Sequence, residues 1–178
     1  RVPERVRPAE VDERTIQLDI YSLVMGEGTK QVVLSMWDLA GQAQYAAALQ
    51  PYIVSGSLYL LTVPALDIAT LMAGYADYVG RWLEYLQAGA PDAIVLPVLT
   101  KCDLLLGAGK KPTVENFEEA ANLQVEWLLN AIAKHQENQP ENARQLRIQE
   151  KVQCLSAVDG GDESLEALRK RLDEIVFS

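Results

Sequence analysis

The sequence is poor in cysteine, histidine and basic residues, and no stretch of it stays apolar for long. Two cysteines, Cys102 and Cys154, and one histidine, His135, occur in 178 residues. By themselves these three cannot supply the four ligands of a structural metal site. Each cysteine ends an apolar segment, which reads as a reduced core thiol rather than half of a disulfide. The longest apolar candidate, Tyr45 to Leu66, is broken by Gln50, Pro51, Ser55, Gly56 and Pro64, so no transmembrane segment is expected. The opening RVPERVRPAEVDER is no secretory signal. It also lacks an initiator Met, so a piece of a longer protein is expected. Lys and Arg number 16 against 25 Asp and Glu, a net charge of -9. That balance disfavours nucleic acid and anionic lipid as partners.

Almost half of the residues are apolar, enough to bury a core, and the length suits one domain over 1–178. No internal repeat or low-complexity tract is found. Strand-like and helix-like segments alternate, which predicts an α/β sheet. Ile16–Val24 and Gln31–Trp37 read as strands joined by the Gly-containing turn MGEGTK, an antiparallel hairpin. Gln44–Ile53 reads as a short helix and Ser57–Val63 as a buried strand. Asp67–Ala88 reads as a helix with Leu71, Met72, Tyr75, Tyr78, Val79, Trp82, Leu83 and Leu86 on one buried face. Ile94–Thr100 is the next strand, though Pro97 has no N–H for a ladder. A long helix is predicted over Val114–Gln136, capped by Thr113 and lined by Phe117, Ala121, Leu128 and Ile132. His135 falls on a polar part of it. Asn138–Ala143 reads as a loop, Val152–Ser156 as the last strand and Glu163–Val176 as the last helix.

Three segments at strand exits carry the chemistry, because ligands of α/β sheets sit there. In the first, Asp38-Leu39-Ala40-Gly41-Gln42, the aspartate suits a magnesium ion held through water. The glycine lets a backbone N–H approach a phosphate, and the glutamine can orient an attacking water. The bland alternative is a polar strand cap and a turn. In the second, Thr100-Lys101-Cys102-Asp103, a carboxylate can accept from the N1–H and 2-amino group of guanine, a donor pair adenine lacks. The Lys101 stem can lie along the flat base; the alternative is a solvated surface loop. In the third, Cys154-Leu155-Ser156-Ala157, a backbone N–H can reach the guanine carbonyl, and the small residue leaves room. Order and spacing give the three their weight.

With ERTIQLDI at 13–20, WDLAGQ at 37–42, YIVSGSLYLLTV at 52–63, TKCD at 100–103 and CLSA at 154–157, the chain resembles a Ras-like GTPase domain. Within that superfamily it is most similar to the Roc domain of Roco proteins, the leucine-rich-repeat kinase group. The resemblance implies a mostly parallel sheet with one antiparallel hairpin and helices on both faces. It implies GTP and GDP as ligands, Mg2+ as cofactor, and GTP hydrolysis as a molecular switch. Thr15 would close on magnesium and the terminal phosphate, and Asp38 would anchor the metal through water. Gly41 would contact the phosphate and Gln42 would position water. Lys101 and Asp103 would hold guanine, with Ser156 and Ala157 beside it. A larger cytoplasmic signalling protein is implied, with protein effectors and a homodimer made through neighbouring domains or a swapped segment.

The phosphate loop GxxxxGK[ST] of that superfamily is not found in the 178 residues. GAGKK at 107–111 has no Ser or Thr after the lysine and follows no strand. A phosphate loop of that kind would lie before Arg1, and the strand leading into it would come from upstream residues or from a segment swapped in by another chain. The strand would lie between the QVVLSMW and SLYLLTV strands, which otherwise lose ladder partners. The competing reading is a GTPase-like fold used to dimerise or scaffold, with weak or no nucleotide binding.

Overall fold

The computed structural model describes residues 18–26, 31–39, 50–158 and 162–178. The chain divides into two compact units, Arg1–Leu49 with Arg171–Ser178, and Gln50–Lys170. In the first, β1 (Leu18–Met25) and β2 (Val32–Leu39) form the expected antiparallel hairpin. The register runs from Leu18 opposite Leu39 to Met25 opposite Val32. Gly26 takes φ 81° where the turn begins, a conformation that favours glycine.

The second unit holds a parallel sheet. β3 (Leu58–Pro64) and β4 (Ile94–Thr100) pair along their whole lengths. On its other side β4 pairs first with β5 (Arg147–Ile148) and then with β6 (Gln153–Cys154). Val95 to Leu99 are all buried. Successive strand residues point to opposite faces, so β4 is covered on both. Pro97 fits for a local reason. The carbonyls of Ala93, Val95 and Leu99 accept from the β5 and β6 side, and residue 97 shares their direction. The ladder is interrupted just there, between Ile148 and Gln153, so the missing N–H leaves no partner unbonded.

The predicted helix Asp67–Ala88 is broken into three pieces. Asp67 caps α1 (Ile68–Ala73), accepting from the Thr70 N–H at 3.0 Å. A π turn follows at Ala76–Gly80, and then α2 (Arg81–Gly89). Two glycines carry the break. A Cβ on Gly74 would lie 2.5 Å from the Tyr78 ring, and one on Gly80 would lie 2.7 Å from Tyr75. Ring-on-backbone packing therefore admits the extra residue of a π turn. The periodic face is lost at one end: Leu71 is buried but Met72 is 63% exposed, contrary to expectation. Gln50–Tyr52 is a 3-10 turn, and the rest of the segment read as a helix over Gln44–Ile53 lies mostly outside the described residues.

α3 (Val114–Ala120) and α4 (Asn122–Glu137) replace the single long helix. The break is slight, because Ala121 still donates to Phe117 O and accepts from Val125 N–H, both at 2.9 Å. Thr113 caps α3 as expected. Phe117, Ala121, Leu128 and Ile132 are all buried in the core beside Leu83, Val95 and Leu99. The last strand is shorter than predicted, and β5 was not foreseen; two-residue strands show no alternation to read. α5 (Asp162–Phe177) closes the chain.

His135 is not on a polar face. It is 8% exposed, and burial holds its imidazole below the usual value of 6.5, partly offset by Glu84. The unfolded chain therefore takes up the proton first as pH falls. The stability from the neutral buried ring is present above pH 6.5 and is lost progressively below it, down through the folded value. Urea midpoints at pH 7.5 and pH 5 (roughly spanning that window) should differ less for His135→Gln than for wild type. Equal losses in both proteins would remove His135 from the acid response.

Candidate functional site

A parallel sheet brings the C-terminal ends of its strands to one edge. Here that edge carries Ala65 after β3, Lys101–Asp103 after β4 and Leu155–Ala157 after β6. The three exits are tied by backbone bonds. The Ala65 N–H donates to Thr100 O at 2.8 Å, Leu155 N–H to Leu99 O at 2.9 Å, and Cys102 N–H to Leu155 O at 3.1 Å. The second and third predicted segments therefore lie side by side.

The turn after β4 is built on Lys101, with φ 61° and ψ 32°. Among the described residues it is the one non-glycine with positive φ. A left-handed lysine costs about 1–2 kcal/mol, and such strain collects where a loop must aim side chains. A 3-10 turn over Cys102–Leu105 follows, closed by Leu104 N–H to Lys101 O at 3.1 Å. Lys101 is exposed, Cys102 buried and Asp103 half-buried.

Ser156 is fully buried, and its Oγ donates to Asp103 Oδ1 at 2.6 Å. The same Oγ accepts from the Val158 N–H at 3.3 Å. The Ser156 N–H is itself taken by Ser164 Oγ at 3.2 Å, from the first turn of α5. This leaves Ala157 as the one amide of 156–158 without a bond among the described residues. Ser164 went unnoticed in the sequence, where a serine in the first turn of a helix carries no signal of a distant loop. An aspartate oriented by one hydroxyl still has lone pairs for two further donors.

Of the remaining expected residues, Asp38 is the one the structure describes. Asp38 is exposed on β2, in the other unit, opposite Asp19 in the register. Thr15, Gly41 and Gln42 lie outside the described residues. No cluster of three or more metal-ligating side chains occurs among the described residues, and none of their helices is long and apolar enough to cross a membrane. Cys102 and Cys154 are both buried free thiols, as expected.

Known proteins resemble this chain in the same parts. The family model of Roc, described as Ras of Complex, Roc, domain of DAPkinase, matches residues 5–103. That stretch is more than half of the chain and includes both WDLAGQ and TKCD. Ras-related protein RABA3 of Arabidopsis thaliana is 37% identical over 107 residues, 60% of this chain and 43% of that protein. The solved structure of Methanosarcina barkeri Roco2 RocCORdC bound to GDP aligns with a TM-score of 0.51 at 17% identity. It covers 90% of this chain and 38% of that one, and at that identity it speaks for the fold alone. The chain thus spans less than half the length of either relative. With its family match, its parallel sheet and hairpin, and its paired loops at one sheet edge, the chain belongs to the Roc family of Ras-like GTPase domains.

Proposed function

We propose that this chain binds GDP and GTP and hydrolyses GTP as a switch within a larger cytoplasmic Roco-type signalling protein. The observation that carries the reading is the 2.6 Å bond from Ser156 to Asp103. It holds a carboxylate in one orientation, where guanine offers N1–H and a 2-amino group. Lys101 would cover the base, and the Ala157 N–H would meet its carbonyl. Asp38 would anchor Mg2+ through water. Thr15 and Gly41 would close on the terminal phosphate and Gln42 would position water. Protein effectors and a homodimer through neighbouring domains or a swapped segment belong to the same reading.

Calorimetry of the whole polypeptide with Mg2+ tests it. GDP and GTP should bind while ADP and ATP do not. Ser156→Ala should weaken GDP about tenfold, the worth of one hydrogen bond to a charged group. A folded protein that binds neither guanine nucleotide would overturn the reading and leave a scaffold role.

A further inference from the structure

The base loops share a second link, beneath the bond between Ser156 and Asp103. Cys102 separates Lys101 from Asp103, and Cys154 lies two residues before Ser156. Both thiols are buried, at 0% and 4% exposure, and the backbones around them are joined. Cys154 stands opposite Leu99 in the register, and Cys102 N–H reaches Leu155 O at 3.1 Å. Cys102 Sγ donates at 3.4 Å to the carbonyl of Leu99, the residue opposite Cys154 in the register, and the two neighbouring thiols are electrostatically linked. The link to Cys154 favours the Cys102 thiolate and holds that thiol below its ordinary range. The same link, with burial, pushes the Cys154 thiol up.

A pair of thiols packed in a core needs no role, but two features here go beyond packing. First, an open groove between α3, α4 and the segment before β6 ends on Cys154. Glu118, Asn122, Val125, Leu129 and Lys151 also line it, and Lys151 meets Glu118 at 2.8 Å. A small oxidant can therefore approach Cys154, and it reaches the fully buried Cys102 when the 101–105 turn opens. Second, the two sides are held in different ways. Cys154 belongs to the sheet ladder, whereas Cys102 belongs to a single 3-10 turn hinged on left-handed Lys101.

We propose that Cys102 and Cys154 form a reversible disulfide under a peroxide, and that its closure displaces the turn that carries Asp103. The Cys102 sulfur attacks one peroxide oxygen and the O–O bond breaks, giving a sulfenic acid and hydroxide. The Cys154 sulfur then attacks the sulfenic sulfur; the S–S bond forms, the S–O bond breaks and water leaves. Hydroxide takes up the proton lost by Cys102 as a second water. The thiols lose two electrons and the peroxide gains them. A disulfide of roughly 2.05 Å is far shorter than a thiol–thiol hydrogen bond. The ladder resists the contraction, so the 101–105 turn absorbs it. Its consequence for GDP rests on the nucleotide reading above; the linkage and the turn's movement do not.

The whole polypeptide, reduced or treated with hydrogen peroxide, decides this. Peptide mapping should show a 102–154 linkage with the loss of two hydrogens, reversed by a dithiol. Amide exchange at Leu104 and Leu106, whose N–H groups close the turn, should quicken about tenfold or more on oxidation. Affinity for GDP should fall by about tenfold, as one charge-assisted bond is misaligned. In Cys154→Ala the peroxide should leave exchange unchanged. No linkage, a linkage with unaltered exchange, or peroxide-sensitive exchange in Cys154→Ala would each overturn the proposal. Reduced protein that binds no GDP would overturn the nucleotide reading instead, with linkage and exchange still deciding the redox pair.

Discussion

Asp103→Asn is expected to weaken GDP binding by about a hundredfold and to raise affinity for xanthosine diphosphate. The first effect follows from donor counting. A carboxylate accepts from both the N1–H and the 2-amino group of guanine, and each bond to a charged acceptor is worth about 1.5–3 kcal/mol. Asparagine offers one oxygen and one NH2 group, so the 2-amino group meets a donor. The second effect follows from the same geometry. Xanthine carries a carbonyl at position 2 and keeps its N1–H, which matches an amide rather than a carboxylate. Ser156 Oγ, now 2.6 Å from Asp103 Oδ1, can turn its hydroxyl to suit either side chain, so the loop is expected to keep its shape. Competition of GDP against xanthosine diphosphate on both proteins measures the exchange. Unchanged GDP affinity in a folded variant would remove Asp103 from the base site.

Much of this was legible in the sequence, for reasons that differ between parts. The β4 strand was read with its observed ends because IVLPVL is an unbroken apolar run that gives way to Thr100 and Lys101 and lies just after Asp92. The hairpin was read because a glycine turn separates two apolar runs, and Gly26 does take positive φ. The TKCD and CLSA segments were readable because each follows a strand, and parallel pairing then forces their exits to one edge. The bond between Ser156 and Asp103 was not readable: it depends on side chains 53 positions apart and on how β6 aligns with β4. The thiol contact was missed for the same reason. Cys102 and Cys154 were each read rightly as buried, but burial gives no partner. His135 misled because its helix neighbours are polar, while the ring itself turns inward beside Gln139. The π turn misled because periodicity assumes a constant residue count per turn, and the Tyr78 ring over Gly74 breaks that assumption.

That failure of periodicity sets up the largest stability effect expected. Phe117 and Met72 both stood on predicted apolar faces, yet Phe117 is 0% exposed and Met72 63%. Phe117 is among the largest side chains fully buried in the core. Its N–H bonds Thr113 O at 3.0 Å, so the capped first turn of α3 fixes where the ring points. Truncation removes the ring's transfer free energy and leaves a cavity that rigid neighbours cannot fill. Phe117→Ala should cost about 3–5 kcal/mol and lower the melting temperature by roughly 10 °C for a chain of this size. Met72→Ala should stay within about 0.5 kcal/mol. Urea denaturation of both variants beside wild type makes the comparison. If the two losses were equal, the sequence periodicity would describe this core better than the broken helix does. If Phe117→Ala cost less than about 1 kcal/mol, α3 would not be seated on the sheet by this ring. The expected ordering has a bearing on the site as well, because α3 packs beside both the Cys102–Leu105 turn and β6. A loosened α3 would therefore be felt at Asp103 and Ser156 before the chain unfolds.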